Sequence, residues 1–136
     1  MSQTLADAFI VVVEDDPNAN LITLDLLRMG GAQNCFSRRS VESAMVFSEK
    51  LPRVDLFLVD INMPILSGYD MLRKIREHAE LSAARVVALT AGTQQADVAQ
   101  ARQSGFDGFL SKPLKPNQFA DQVTAILDGE AVWDWR

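Results

Sequence analysis

Four runs of this chain place a polar group where a buried strand would end. Leu56-Phe57-Leu58-Val59 is followed at once by Asp60, with no basic residue beside it. Phe9–Val13 leads into Glu14, Asp15 and Asp16, Val86–Leu89 into Thr90, and a weaker run at 106–110 into Lys112. If the strands are neighbours, these ends share one edge, and clustered carboxylates there must either keep protons or hold a cation. Hard oxygen ligands with open positions suit Mg2+, which takes one or two carboxylates, waters and a phosphate. An aspartate beside Mg2+ can attack a phosphorus atom while the metal and Lys112 neutralise the equatorial oxygens and Thr90 donates a hydrogen bond to one of them. The product is an aspartyl phosphate. The stretch Glu14-Asp15-Asp16-Pro17-Asn18 offers anions where a bound flavin phosphate would need donors, which disfavours a flavodoxin-like flavin site.

Positioning these groups requires strands that alternate with helices. Apolar runs at 9–13, 34–37, 56–59, 86–89 and 106–110 are separated by stretches with helical spacing. Asp16 and Pro17 read as N-cap and first residue of a helix over 17–29 that stops at Gly30-Gly31; further helices are expected at 40–50, 68–78, 94–104 and 116–127. Right-handed crossovers then give an α/β fold: a five-stranded parallel sheet in the flavodoxin-like order 2-1-3-4-5, with five helices on both faces. The two most apolar runs, the first and third, become central, and ligands bind at the carboxyl ends where the chain reverses its winding. The expected division is one domain over 8–128 and a tail over 129–136.

Composition narrows the class further. With 136 residues and 48% hydrophobic content, the chain can bury one substantial core. A net charge of −5 and a pI near 4.7, with no run of Lys or Arg, argue against a direct nucleic-acid surface. The lone Cys35 excludes an internal disulfide and fits a reducing, cytoplasmic setting. No basic and apolar leader opens the sequence, and no apolar run approaches the length of a membrane span. No membrane partner is expected.

The combination Val11-Val12-Val13-Glu14-Asp15-Asp16, Leu58-Val59-Asp60-Ile61-Asn62-Met63-Pro64, Val86–Ala91 and Gly108-Phe109-Leu110-Ser111-Lys112-Pro113 resembles the receiver domain of two-component response regulators, over about residues 8–128. The resemblance implies a stand-alone signalling switch rather than a turnover enzyme. Asp60 would accept a phosphoryl group from a sensor histidine kinase or a histidine phosphotransfer protein, and output would pass to a downstream protein target. Asp15 would bind Mg2+ directly, Glu14 mainly through water, and the Asn62 backbone carbonyl would complete the protein ligands. Thr90 and Lys112 would contact the phosphoryl group, Lys112-Pro113 would be cis, and Thr90 with Phe109 would form the switch. Phe109 stands where the family often has Tyr, so no hydroxyl is available to rebond, and Gly92 stands where many relatives carry a larger polar group.

Competing readings separate on particular residues. A haloacid-dehalogenase-like phosphatase needs a second Asp two residues after its nucleophile, where this chain has Asn62, and places the nucleophile after the first strand. A fragment of a larger regulator or hybrid kinase would read the same way. A degenerate receiver would lack an acid, Thr or Lys, and none is lacking. On the first helix, Ile22, Leu26 and Met29 share one face while Leu21, Leu24 and Leu27 lie nearly opposite. A surplus apolar face with Ile22, Leu21 and Leu24 would dock a partner's helices or a second copy in a homodimer. Trp133 and Trp135 alternate with Asp134, and are expected to pack on the domain, a second subunit or a target, near Leu21 and Leu24.

Overall fold

A computed structural model describes residues 4–91 and 95–134, the side chains of Gln95 and Ala96 excepted. The runs that are apolar at every position become strands covered on both faces: β1 (Phe9–Val13), β3 (Leu56–Asp60) and β4 (Arg85–Thr90). They alternate with α1 (Pro17–Met29), β2 (Asn34–Arg38), α2 (Val41–Ser48), α3 (Gly68–Glu77), α4 (Gln95–Ser104), β5 (Gly108–Ser111) and α5 (Phe119–Leu127). All strand pairs are parallel.

The expected five-strand count needs correction. The sheet has six strands in the order β2-β1-β3-β4-β5-β6, the last being β6 (Val132–Asp134). A run of three residues is too short to show a strand period, but α5 supplies the crossover that a parallel sixth strand needs.

Two packed layers follow from the alternation of side chains along each strand. Val11, Phe57, Val59, Val86, Ala88 and Phe109 face α2, α3 and α4, where Val41, Ala44, Met71, Ile75, Val98 and Ala101 cover them. Ile10, Val12, Leu58, Val87, Leu89 and Leu110 face α1 and α5, met by Leu24, Leu27, Phe119, Val123 and Ile126. Among the described residues no helix is long and apolar enough to cross a membrane.

The docking set expected on α1 also needs correction. Leu24 is 7% exposed and belongs to the core, whereas Leu21 and Ile22 are 57% and 58% exposed. The buried stripe of this helix is Asn20, Thr23, Leu24 and Leu27, spaced i, i+3, i+4 and i+7. Two polar residues take core positions with a donor bonded in each: Asn20 Nδ2 donates to the Glu14 carbonyl at 2.8 Å, its Oδ1 being left without a partner among the described residues, and Thr23 Oγ1 donates to the Ala19 carbonyl at 2.9 Å. Among the described residues of the tail, Trp133 packs on the face of the sheet opposite Leu24, while Val132 packs at the rim of the layer that contains Leu24. Trp135 and Gly92 lie outside the described residues.

Between β3 and α3, Leu66 N donates to the Pro64 carbonyl at 2.8 Å around Ile65, whose φ is 69°. A turn this tight at positive φ costs a β-branched residue about 1–3 kcal/mol, and the side chain, 99% exposed, gains no packing in return. Ile65→Gly relieves the strain and loses about 0.4–1 kcal/mol through unfolded-state entropy. The expected net result is a gain of about 1 kcal/mol, read from the urea unfolding midpoint at unchanged slope.

Candidate functional site

The carboxyl ends of β1 and β3 are adjacent, and the loop leaving β5 reaches across to them. Glu14, Asp15 and Asp60 each bring a carboxylate oxygen to within 4.8 Å of the others. Glu14 and Asp60 are buried and Asp15 is half-buried. Lys112 Nζ donates to Glu14 Oε1 and, at 3.3 Å, to Asp60 Oδ2, so an ammonium group lies against two of the three acids. All the donors are oxygen, which fits a hard divalent cation such as Mg2+.

Each of these groups is fixed by its backbone. The Asn20 side chain ties the Glu14 carbonyl to α1, and Asp16 caps the same helix by accepting from Asn18 N. Arg39 Nε donates to the Asp15 carbonyl at 3.1 Å. Asp60 Oδ1 accepts from Asn62 N at 2.9 Å, and Asn62 Nδ2 donates to Thr90 Oγ1 at 2.9 Å, linking the end of β3 to that of β4. Lys112 N donates to the Thr90 carbonyl at 2.7 Å, which aligns the loop, and the Lys112-Pro113 peptide is cis. At Gly68 an added Cβ would stand 2.6 Å from Ile61 Cα and 2.8 Å from the Asp60 carbonyl oxygen, so only glycine lets α3 press against the strand end.

The charges answer to this crowding. Burial, followed by the neighbouring Asp60, raises the Glu14 pKa despite its bond to Lys112. A shared hydrogen bond with Glu14, then burial, raises that of Asp15. For Lys112, burial alone would favour the neutral amine, but Glu14 and Asp60 together outweigh it and the pKa rises. The lysine therefore remains a cation.

The residues expected from the sequence are thus brought together: Glu14, Asp15, Asp60, Asn62, Thr90 and Lys112 share this crevice. Phe109 does not line it. It is fully buried on β5, beside Ala88 of β4. Leu21 and Ile22 are exposed on α1. The sequence reading missed the anchoring roles of Asn20, Arg39 and Gly68 and the side-chain bond of Asn62. Only Asn20 left a signal, as a polar residue on the stripe that Leu24 and Leu27 define. Away from the crevice, Cys35 is buried, and His78, at the end of α3, bonds Glu49 Oε2 through Nε2 at 3.0 Å.

Comparison with known sequences decides the family, since residues 10–124 match the response regulator receiver domain model. The chain belongs to the response regulator receiver domain family. A similar receiver protein is the polar-differentiation response regulator DivK of Brucella anthropi, 28% identical over 118 residues, covering 87% of this chain and 94% of that one. A 14.6 kDa protein of Leptolyngbya boryana is 32% identical over 114 residues, 84% of this chain and 86% of its own. Among solved structures, the receiver domain of a histidine kinase from Syntrophus aciditrophicus superposes with a TM-score of 0.77 at 30% identity, covering 90% and 91% of the two chains. The chemotaxis protein CheY4 of Vibrio cholerae shares the fold, with a TM-score of 0.79 at 20% identity over 88% and 98%. Receiver domains are signalling proteins that use Mg2+, and the acidic cluster of this receiver could bind it.

The raised carboxyl pKa values set a pH dependence. Between its ordinary 4.5 and its raised native value, Glu14 holds a proton in the folded state that the unfolded chain has released, so stability falls as pH rises through that window. Asp15 acts in the same direction from 3.8 upward. In metal-free buffer, denaturant unfolding should show this fall, at most about 1.4 kcal/mol per pH unit from Glu14, with a smaller, solvent-screened part from the more exposed Asp15. Glu14→Gln should flatten it, and millimolar Mg2+ should raise the melting temperature at pH 7 by binding the ionised native site.

Proposed function

We propose that this receiver is a phosphorylation-controlled switch that takes a phosphoryl group onto Asp60 from the phosphohistidine of a sensor kinase or a histidine phosphotransfer protein, in the cytoplasm, and thereby changes its binding to a downstream protein. The observation that carries this reading is the convergence of Asp60, Glu14, Asp15, Thr90 and Lys112 at one sheet edge. Asp60 Oδ forms the new O–P bond as the N–P bond of the donor breaks, and the departing imidazole takes up a proton. Mg2+, when bound, would neutralise charge on the phosphoryl oxygens. Asp15 would hold the ion directly, Glu14 mainly through water, and the Asn62 carbonyl would complete the set, with Asp60 itself as a further ligand.

The chain's own groups supply the rest. Lys112 lies on Glu14 and Asp60 and can turn to a phosphoryl oxygen when the cation replaces it among the acids. Thr90, whose oxygen accepts from Asn62, can donate its proton to another of those oxygens. Phe109 is in register with Ala88, one residue from Leu89 and two from Thr90, so a shift at Thr90 reaches the packing of α4 along β4 and β5. Exposed Leu21 and Ile22 on α1, the helix that begins beside the crevice, are the docking residues for the helices that carry the donor histidine. The phosphatase reading is not favoured: Asn62 cannot serve as the second carboxylic acid, and the candidate nucleophile follows β3 rather than β1.

Incubation with a small phosphodonor and Mg2+ should add one phosphoryl group, detected by intact-protein mass spectrometry and mapped to Asp60 by borohydride trapping. Asp60→Asn should take up none at that position; full labelling of this variant would remove the proposal. Thr90→Ala and Lys112→Ala should retain uptake from the small donor while losing the phosphorylation-induced change in amide NMR shifts around Phe109. Loss of uptake as complete as in Asp60→Asn would show that these two residues are needed for the chemistry itself.

A further inference from the structure

The outer edge of β5 is shaped to receive a strand. Gly108 lies opposite Val132, and a Cβ on it would stand 2.8 Å from the Val132 carbonyl oxygen, so the backbones approach as they do only because the side chain is absent. On one side of the sheet, Trp133 packs on the layer that includes Ala101, Phe106 and Phe109, with the Arg102 guanidinium 4.5 Å from its ring. On the other, Asp134 accepts from Lys115 Nζ at 2.7 and 2.8 Å and from Gln122 Nε2 at 2.8 Å. The edge thus recognises an extended backbone, an aromatic side chain, and a carboxylate on the next residue pointing the opposite way.

What fills this edge is weakly held. β6 has three residues, each only partly buried, and it follows α5 after a four-residue connection, 128–131. Val132 and Trp133, each at the rim of its layer, one partly exposed ion pair and a three-residue ladder contribute far less than the core that holds the other five strands, so this strand is expected to open before the domain does. It is nonetheless coupled to the site by position. Lys112, on Glu14 and Asp60, and Lys115, on Asp134, are three residues apart in one loop, and Trp133 is in register with Phe109.

We propose that the outer edge of β5 is a docking site for an extended segment of a protein partner carrying an aromatic residue followed by an acid, and that β6 is its intramolecular occupant, displaced when the partner's segment adds to the sheet. Affinity comes from the backbone ladder, and selectivity from the tryptophan seat and the Lys115–Gln122 carboxylate seat. The tethered tail competes at a high local concentration, so it sets the threshold a partner must exceed. The site takes its signalling meaning from the switch proposed above, but strand exchange itself requires no phosphoryl group.

The test uses chain lacking residues 131–136 and the free peptide Ala-Val-Trp-Asp-Trp-Arg, without phosphodonor or metal. Amide shifts of Gly108, Phe109 and Leu110 should move saturably as peptide is added. The intact chain should bind at least about tenfold more weakly, because its own tail competes. A peptide carrying D134K should bind neither protein. Asp134→Lys in the full chain, which leaves every core residue in place, should admit the wild-type peptide. Equal binding by intact and shortened chains, no shift in either opened protein, or undiminished binding of the D134K peptide would each overturn the proposal. Loss of folding in both opened variants would also overturn it, by showing β6 to be integral to the core. Labelling of Asp60 does not enter these measurements, so failure here leaves the phosphorylation reading intact.

Discussion

Three carboxylates confined to one crevice are the constraint around which this domain is organised. Glu14 and Asp15 leave β1, Asp60 ends β3, and the pairing of those two central strands leaves the acids nowhere to separate. At a few ångströms such charges repel by several kcal/mol unless a cation or protons intervene. The surrounding structure holds the acids in place instead of letting them relax: Asn20 fixes the carbonyl of Glu14, Arg39 that of Asp15, and Asn62 N the carboxylate of Asp60. Lys112 answers part of the charge from Glu14 and Asp60. A site of this kind could hold a divalent cation, and under the function proposed above that cation would offset the charge of an incoming phosphoryl group.

Under the function proposed above, the same rigidity would carry a change at Asp60 elsewhere. On β4 the side-chain row that holds Thr90 at the crevice continues into Ala88, which is in register with Phe109 of β5 beneath α4. These residues are close-packed, and close-packed interiors move between discrete arrangements rather than yielding smoothly. β6 extends this row by one more strand, with Trp133 in register with Phe109 and packed on the same layer.

Much of this was legible in the sequence because burial on both faces leaves a plain mark. Leu56–Val59 and Phe9–Val13 are apolar at every position, which identifies central strands, and the residue after each is then at the carboxyl edge by geometry alone. That is why Asp60, Glu14, Asp15, Thr90 and Lys112 could be assembled on paper. α1 was harder, since apolar residues surround it and its core stripe includes the bonded polar pair Asn20 and Thr23; periodicity alone assigned Leu24 to the wrong side. β6 was illegible because three residues carry no period, and its evidence lies in distant partners: Gly108, Arg102, Lys115 and Gln122. The tight turn at Ile65 contradicts that residue's own preference and could be seen only in the backbone.

Beryllofluoride, which occupies a phosphoryl position without forming a stable ester, tests the central claim most directly. Titrated against the protein with and without Mg2+, and followed by amide NMR at Asp60, Thr90 and Lys112, it should produce saturable shifts only when the metal is present and none in Asp60→Asn. Equal shifts without Mg2+, or shifts retained in Asp60→Asn, would contradict a metal-dependent phosphoryl site built on Asp60.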